Sequence, residues 1–169
     1  RIRPAMEWDR YYEGIRQVNV LIDSIEVVPI ILTFKNINGE EKALNYTIKA
    51  EARFLRTLFY FELVKRYGGV PLIKDKIFKL NDDLELPRNS FEECIDYMVS
   101  ELDDIKMDLR SVSMEDNSEY AHAATYEAAM ALKSRILLYA ASPLFNGQTI
   151  STTKDEQKEL VGYTDYDAE

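Results

Sequence analysis

Cysteine and histidine are almost missing: Cys94 and His122 are each the sole residue of their type among 169. A lone Cys excludes an intrachain disulfide, and two such side chains cannot build a Cys- or His-rich metal centre. Tryptophan is equally scarce, with Trp8 alone, and only 6 Gly and 5 Pro are present. Each glycine or proline therefore reads as local punctuation and not as part of a low-complexity tract. Basic charge is in deficit: 21 Lys and Arg against 30 Asp and Glu leave a net charge of −9 with His neutral. A surface of that sign repels a phosphate backbone, which argues against a nucleic-acid partner. No apolar run approaches the ~20 residues that a transmembrane helix needs. What the chain does have is 46% apolar residues, enough for one domain to bury a core and offset its ordering entropy.

Arg1 stands at the position of an initiator Met, and no signal peptide or lipidation motif lies near it. The expectation is a mature fragment whose address label lies before Arg1. Residues 1–148 form the organised region; residues 149–169 are polar and are expected to be a tail or the start of a further part.

Four helices are predicted. Trp8, Tyr11, Tyr12, Ile15, Val18, Ile22 and Ile25 recur at helical spacing and place the first over Met6–Ile25. Gly14 costs that helix ~1 kcal/mol relative to Ala. Val27 to Phe34 is apolar, β-branched and interrupted by Pro29, so an edge strand and a buried extended loop both remain open. Asn38-Gly39 marks a turn, and Asn38 with Glu41 resembles a capping arrangement for a second helix over Gly39–Tyr67. The middle of that helix, Phe54 to Val64, is apolar almost all round, which places it centrally. Gly68-Gly69 followed by Pro71 stops it. Residues 70–88 hold two prolines and Asn81-Asp82-Asp83, so they read as a long ordered connection. Ser90-Phe91-Glu92-Glu93 fits a capping box that opens a third helix, Ser90–Leu109. Ser111 to Glu119 reads as a polar linker. The fourth helix, Thr125–Ala141, ends at Ser142-Pro143 and is rich in alanine, so neighbouring backbones can approach it closely. Two helix pairs with longer connections suggest an all-α fold of TPR-like stacked helical hairpins. The spacing between the pairs is roughly eighty residues, far beyond the ~34 of a standard TPR array, so periodicity alone proves no repeat.

Catalytic constellations are missing. Cys94 falls beside Ile95 on an apolar stripe and reads as a buried thiol. His122 has no nucleophile signature beside it. Glu92-Glu93 and Asp103-Asp104 lie on the polar flank of an amphipathic helix, where a solvated face explains them. No enzyme activity, metal or cofactor is expected. Of the 11 Tyr, 7 Phe and 1 Trp, most sit at helical spacing and belong to the core. Tyr120, Tyr163 and Tyr166 lie outside the helices and are the candidates for an exposed, ligand-stacking role. For Trp8 two readings compete: a sugar-stacking platform, or an anchor at the head of the first helix's apolar stripe.

Four blocks carry a resemblance. They are Trp8-Asp9-Arg10-Tyr11-Tyr12 with Ile15 and Asn19; Glu51-Ala52-Arg53-Phe54-Leu55-Arg56 running through Tyr60-Phe61-Glu62-Leu63-Val64 to Tyr67-Gly68-Gly69-Val70-Pro71-Leu72; Arg88-Asn89-Ser90-Phe91-Glu92-Glu93; and Ala131-Leu132-Lys133-Ser134-Arg135 with Leu138 to Asn146. In this order they are similar to the SusD/RagB family of Bacteroidetes outer-membrane nutrient-binding lipoproteins. The resemblance implies a surface-exposed lipoprotein that captures oligosaccharides or peptides without catalysis. It would close as a lid over a SusC-like TonB-dependent transporter, and meet the membrane only through a lipid anchor absent from this fragment. Family members are considerably longer, which makes this an N-terminal part. The chain departs from the family at His122-Ala123, where Gly-Arg is usual, and in the apolar stretch Val27 to Phe34. The alternative from another class is a TPR-type protein–protein scaffold with no small-molecule ligand.

Overall fold

Apolar residues three and four apart fold into four long helices: α1 Pro4–Ile25, α2 Leu44–Tyr67, α3 Phe91–Ile105 and α4 Tyr126–Ala140. The computed structural model describes residues 4–111, 122–147, 154 and 157–165, with side chains from Glu7 onward. Within α1 the stripe residues Ile15, Val18, Ile22 and Ile25 are buried, and Trp8, Tyr11 and Tyr12 pack half-buried against the core. Gly14 has a packing reason. A Cβ there would lie 2.8 Å from the Phe59 ring of α2, so the small residue lets the two helices meet.

Helix ends follow their capping chemistry. Ser90 Oγ accepts from the Glu93 amide at 3.1 Å, and the Glu93 carboxylate accepts from the Ser90 amide at 2.9 Å. The capping box is therefore complete. The region expected to be helical as far as Leu109 instead tightens into a 3₁₀ turn, Lys106–Asp108, a common way for a final turn to close. Thr125 caps α4 by accepting from the Ala128 amide at 3.2 Å.

One boundary was misplaced by the pattern. Gly39 to Ala43 is not helical: β2, Glu41–Ala43, pairs antiparallel with β1, Thr33–Lys35, and α2 starts only at Leu44. The turn at Asn38-Gly39 is present, but the side chain that organises it belongs to Asn36. Its Oδ1 accepts from the amides of Asn38 and Glu40, both at 3.0 Å, a local bonding pattern that favours turns over helix. Glu41 accepts from the Thr33 hydroxyl across the ladder at 2.6 Å instead of capping a helix. The open choice for residues 27–34 resolves as an exposed loop entering a short strand. Phe34 alone of that stretch is buried, while Val27, Val28, Ile31 and Leu32 are exposed.

The helices run up and down. Glu26 just past α1 meets Lys49 near the start of α2 at 2.7 Å, and Trp8 near the start of α1 meets Tyr67 at the end of α2, centroids 5.1 Å apart. Likewise Glu101 near the end of α3 meets Arg53 in the first half of α2 at 2.7 Å. At the other end Phe91, opening α3, stacks on Phe145 just beyond α4 at 5.4 Å. These pairings make α1/α2 and α3/α4 two antiparallel hairpins joined face to face through α2 and α3. The shared core includes Ile15, Tyr60, Phe61, Leu63, Phe91, Ile95, Met98, Leu102 and Ile136, none more than 1% exposed. Each such side chain is worth ~1.5–3 kcal/mol in burial.

The expected linker from Ser111 to Glu119 lies outside the described residues after Ser111. From the polar end of the chain, the short helix α5, Lys158–Val161, returns to the Gly68-Gly69 stop. Leu160 O accepts from the Gly69 amide at 2.6 Å. A Cβ on Gly68 would sit 2.0 Å from that oxygen, and one on Gly69 would sit 2.0 Å from Asn89 O. The two glycines thus end α2, Gly68 at φ 73°, and also admit two other backbone segments.

Candidate functional site

A concave groove of about 820 Å³ opens between the first turns of α1 and the connection that follows α2. From α1 it takes Trp8, Tyr12, Glu13 and Arg16; from the connection it takes Pro71, Ile73, Phe78, Leu80, Leu84 and Leu86, with Lys76 and Lys79. Its size and mostly apolar lining with a few charged groups are those of a binding site.

The connection has no helix or strand from residue 70 to residue 90, so its backbone groups need partners from elsewhere. The helices supply them. Tyr12 donates to Pro71 O at 2.8 Å, and Asn19 donates to Lys74 O and Lys76 O at 2.7 and 3.0 Å. Tyr60 accepts from the Ile73 amide at 3.0 Å. Downstream, Asn89 Oδ1 accepts from the Leu72 amide at 2.9 Å, and Arg88 donates to Gly69 O at 2.7 Å and to Tyr67 O. Burial raises the Tyr12 hydroxyl above its ordinary pKa and pushes Tyr60 up to about 12, so Tyr12 remains a neutral donor.

Arg56 ties this wall to the bundle. Its side chain is 1% exposed. It donates to Asn19 Oδ1 at 2.8 Å, Lys74 O at 3.1 Å, Asp75 Oδ1 at 2.7 Å and Glu101 Oε2 at 2.8 Å. Glu101 also receives two bonds from Arg53, at 2.7 and 3.1 Å. Burial pushes the Glu101 carboxyl upward, but the arginine hydrogen bonds and charges outweigh it and hold the group below the usual carboxylate range. Lys74 takes φ 49° at the centre of this network, a strained value for a side-chain-bearing residue that the surrounding bonds hold in place.

Trp8 packs as the anchor reading expects. It is half-buried, packed against Tyr12 at 4.9 Å and edge-on to Tyr67 at 5.1 Å, yet it also lines the groove. Tyr163 is half-buried, edge-on to Phe91 at 5.6 Å, and does not line this groove. Tyr120 and Tyr166 lie outside the described residues. Residues 70–88 were read only as a connection, so most of the groove was missed. The available signal was a set of apolar residues, Ile73, Phe78, Leu80, Leu84 and Leu86, in a segment without a helical period to bury them.

The remaining reactive side chains are engaged structurally or stand alone. Cys94 is fully buried, its thiol within 3.4 Å of the Val70 amide, and burial pushes it up to about 11. His122 is exposed. Asp103 pairs with Lys106 and Lys133 at 2.9 and 2.6 Å. Among the described residues, no group of three or more His, Cys, Asp and Glu is placed to hold a metal ion, and no helix is long and apolar enough to cross a membrane.

Stacked antiparallel hairpins with a groove between a helix and a pinned connection define a TPR-like helical module. The profile of the SusD-like family described as "Starch-binding associating with outer membrane" matches residues 2–138. The chain belongs to that SusD-like family. A curated relative, SusD-like protein P38 of Formosa agariphila, is 27% identical over 134 residues, covering 79% of this chain and 23% of its own. The crystal structure of a SusD-like protein from Bacteroides fragilis is 34% identical with a TM-score of 0.66, covering 80% of this chain and 24% of its own. A SusD-like carbohydrate binding protein from the same species shares the fold, at 24% identity and a TM-score of 0.66, with 80% and 24% covered. The chain thus spans about a quarter of the length of the relatives it matches.

Proposed function

We propose that this chain is the N-terminal helical part of a cell-surface protein that binds a glycan without catalysis, for uptake through a SusC-like TonB-dependent outer-membrane transporter. The observation that carries this reading is the starch-binding, outer-membrane family match over residues 2–138. The fold supports it, because rigid hairpins give a scaffold on which ligand loops and a partner surface are held in place. Membrane attachment of the whole protein is through a lipid anchor. Tyr120, Tyr163 and Tyr166 are the proposed sugar-stacking residues.

The test uses the longer parent protein. Affinity gel electrophoresis on starch, laminarin and xyloglucan should show retardation on at least one glycan with no reducing ends released, and detergent-solubilised outer membrane should yield a TonB-dependent transporter in the same complex. Retention on no glycan, or release of sugar, would refute the binding part. Purification without any transporter would refute the uptake part.

A further inference from the structure

The groove between α1 and residues 71–86 has a chemistry that glycan capture does not require. Leu80 is fully exposed and Leu84 is 70% exposed, so aliphatic side chains stand open to water at one wall. Trp8, Tyr12 and Phe78 supply flat faces to the same space. The lining contains no Asn or Gln and one carboxylate, Glu13. Its other charges are Arg16, Lys76 and Lys79, a three-to-one excess of cations in a chain of net charge −9. The acids of the nearby turn are occupied with backbone: Asp82 accepts from the Lys79 amide at 3.0 Å and Asp83 from the Glu85 amide at 2.8 Å. Among the described residues, neither Arg16, Lys76 nor Lys79 forms an ion pair with a carboxylate; Lys76 instead rests its ammonium 4.3 Å from the Phe78 ring centroid.

Exposed aliphatic surface rimmed by unpaired cations is complementary to a protein segment that brings its own apolar side chains and carboxylates. We propose that this groove docks a peptide segment of a partner protein that presents leucine-like side chains and Asp or Glu on one face. The aliphatic side chains bury against Ile73, Leu80 and Leu84, and the carboxylates meet Arg16, Lys76 and Lys79. Trp8, the only tryptophan, lines the groove and reports its occupancy directly.

The experiment titrates the full chain with two nine-residue peptides, following Trp8 emission. One is Leu-Ser-Glu-Ser-Leu-Ser-Glu-Ser-Leu (the Leu/Glu peptide) and the other has Lys in place of Glu (the Leu/Lys peptide). In both, the Leu and charged residues share one face when extended. The Leu/Glu peptide should saturate the signal and bind at least tenfold more tightly than the Leu/Lys peptide. The double variant Lys76→Glu/Lys79→Glu should reverse that ranking, and Leu80→Ser/Leu84→Ser should weaken both peptides tenfold or more. All four positions are exposed, and unchanged helical circular dichroism establishes that the variants are folded. Equal affinity for the two peptides, or no saturation, overturns the proposal. Saturable quenching by neutral maltoheptaose that competes with the Leu/Glu peptide also overturns it, in favour of a sugar groove. Concentration-dependent dimerisation that blocks the Leu/Glu peptide overturns it in favour of a second copy of the chain. Glycan retention by the parent protein is measured separately, so either reading can fail while the other stands.

Discussion

Replacing Arg56 by Ala removes the group on which α1, α2, α3 and the groove wall converge. In the folded chain Arg56 serves Asn19, Lys74 O, Asp75 and Glu101 at 2.7 to 3.1 Å with its side chain 1% exposed. Breaking a buried pair by deleting one partner costs ~3–5 kcal/mol, mostly because a buried charge is left behind. Here Arg53 still holds Glu101 with two hydrogen bonds, which moves the expectation to the lower end. The Asp75 carboxylate, 75% exposed, adds little, since a solvated pair is worth at most ~1 kcal/mol. Lost packing of the arginine stem works in the other direction. The sum is about 3 kcal/mol, a large part of the ~5–15 kcal/mol that holds an ordinary domain together. Urea unfolding reads the loss. Hydrogen exchange localises it, because the Ile73 amide, bonded to Tyr60, should exchange faster once Lys74 O loses its arginine donor. Arg56→Ala within ~0.5 kcal/mol of the parent, together with an unchanged Ile73 amide, would refute the assignment of Arg56 as the pin of the wall.

Gly69→Ala should cost ~3 kcal/mol or more, at the top of the overpacking range, because the new Cβ would face a backbone oxygen at 2.0 Å; a loss below ~1 kcal/mol in urea melts would contradict that approach. Ser90→Ala should cost ~1 kcal/mol through the lost cap, and Leu102→Ala ~2–5 kcal/mol through a core cavity; equal, small losses would mean that the α3 stripe faces no core. The Glu101 pKa is lowered on folding, so its stabilisation is complete above the unfolded value of ~4.3 and is lost as pH falls through the lower folded value. Thermal melts should therefore weaken below about pH 5, and Glu101→Gln should flatten that fall; an unchanged acid limb would show that Glu101 is not its source.

Helices were legible in the sequence wherever burial imposed their period. The α3 stripe and its Ser90–Glu93 box carried both a start signal and a 3.6-residue repeat, and both agree with the structure. The start of α2 was misread because Asn38 and Glu41 have the spacing of a cap, while the competing signal was Asn36, whose side chain turns the chain into a hairpin. A three-residue strand such as Glu41–Ala43 is too short to show an alternation of two. Gly14 was read as a propensity cost and Gly69 as part of a helix stop, whereas both also sit where a side chain would collide, with Phe59 and with Asn89 O. Contacts between distant segments leave no local mark in the sequence.

The groove was hidden for a related reason. Tyr12, Asn19, Arg56 and Tyr60 belong to the blocks that carry the family resemblance, and each looks like a packing residue. They do pack, but their polar atoms end on the main chain of residues 71–76, where Pro71 O, Lys74 O and Lys76 O accept and the Ile73 amide donates. A segment without secondary structure thereby gains the backbone partners that a helix or sheet would otherwise provide. Because the bonds go to backbone, they fix where the wall runs and say nothing about the side chains it displays. Lys76, Phe78, Leu80 and Leu84 are consequently placed by residues far away in sequence, on helices whose own pattern reads as core. The motifs specify a held wall, and the chemistry of the groove is written in the intervening positions.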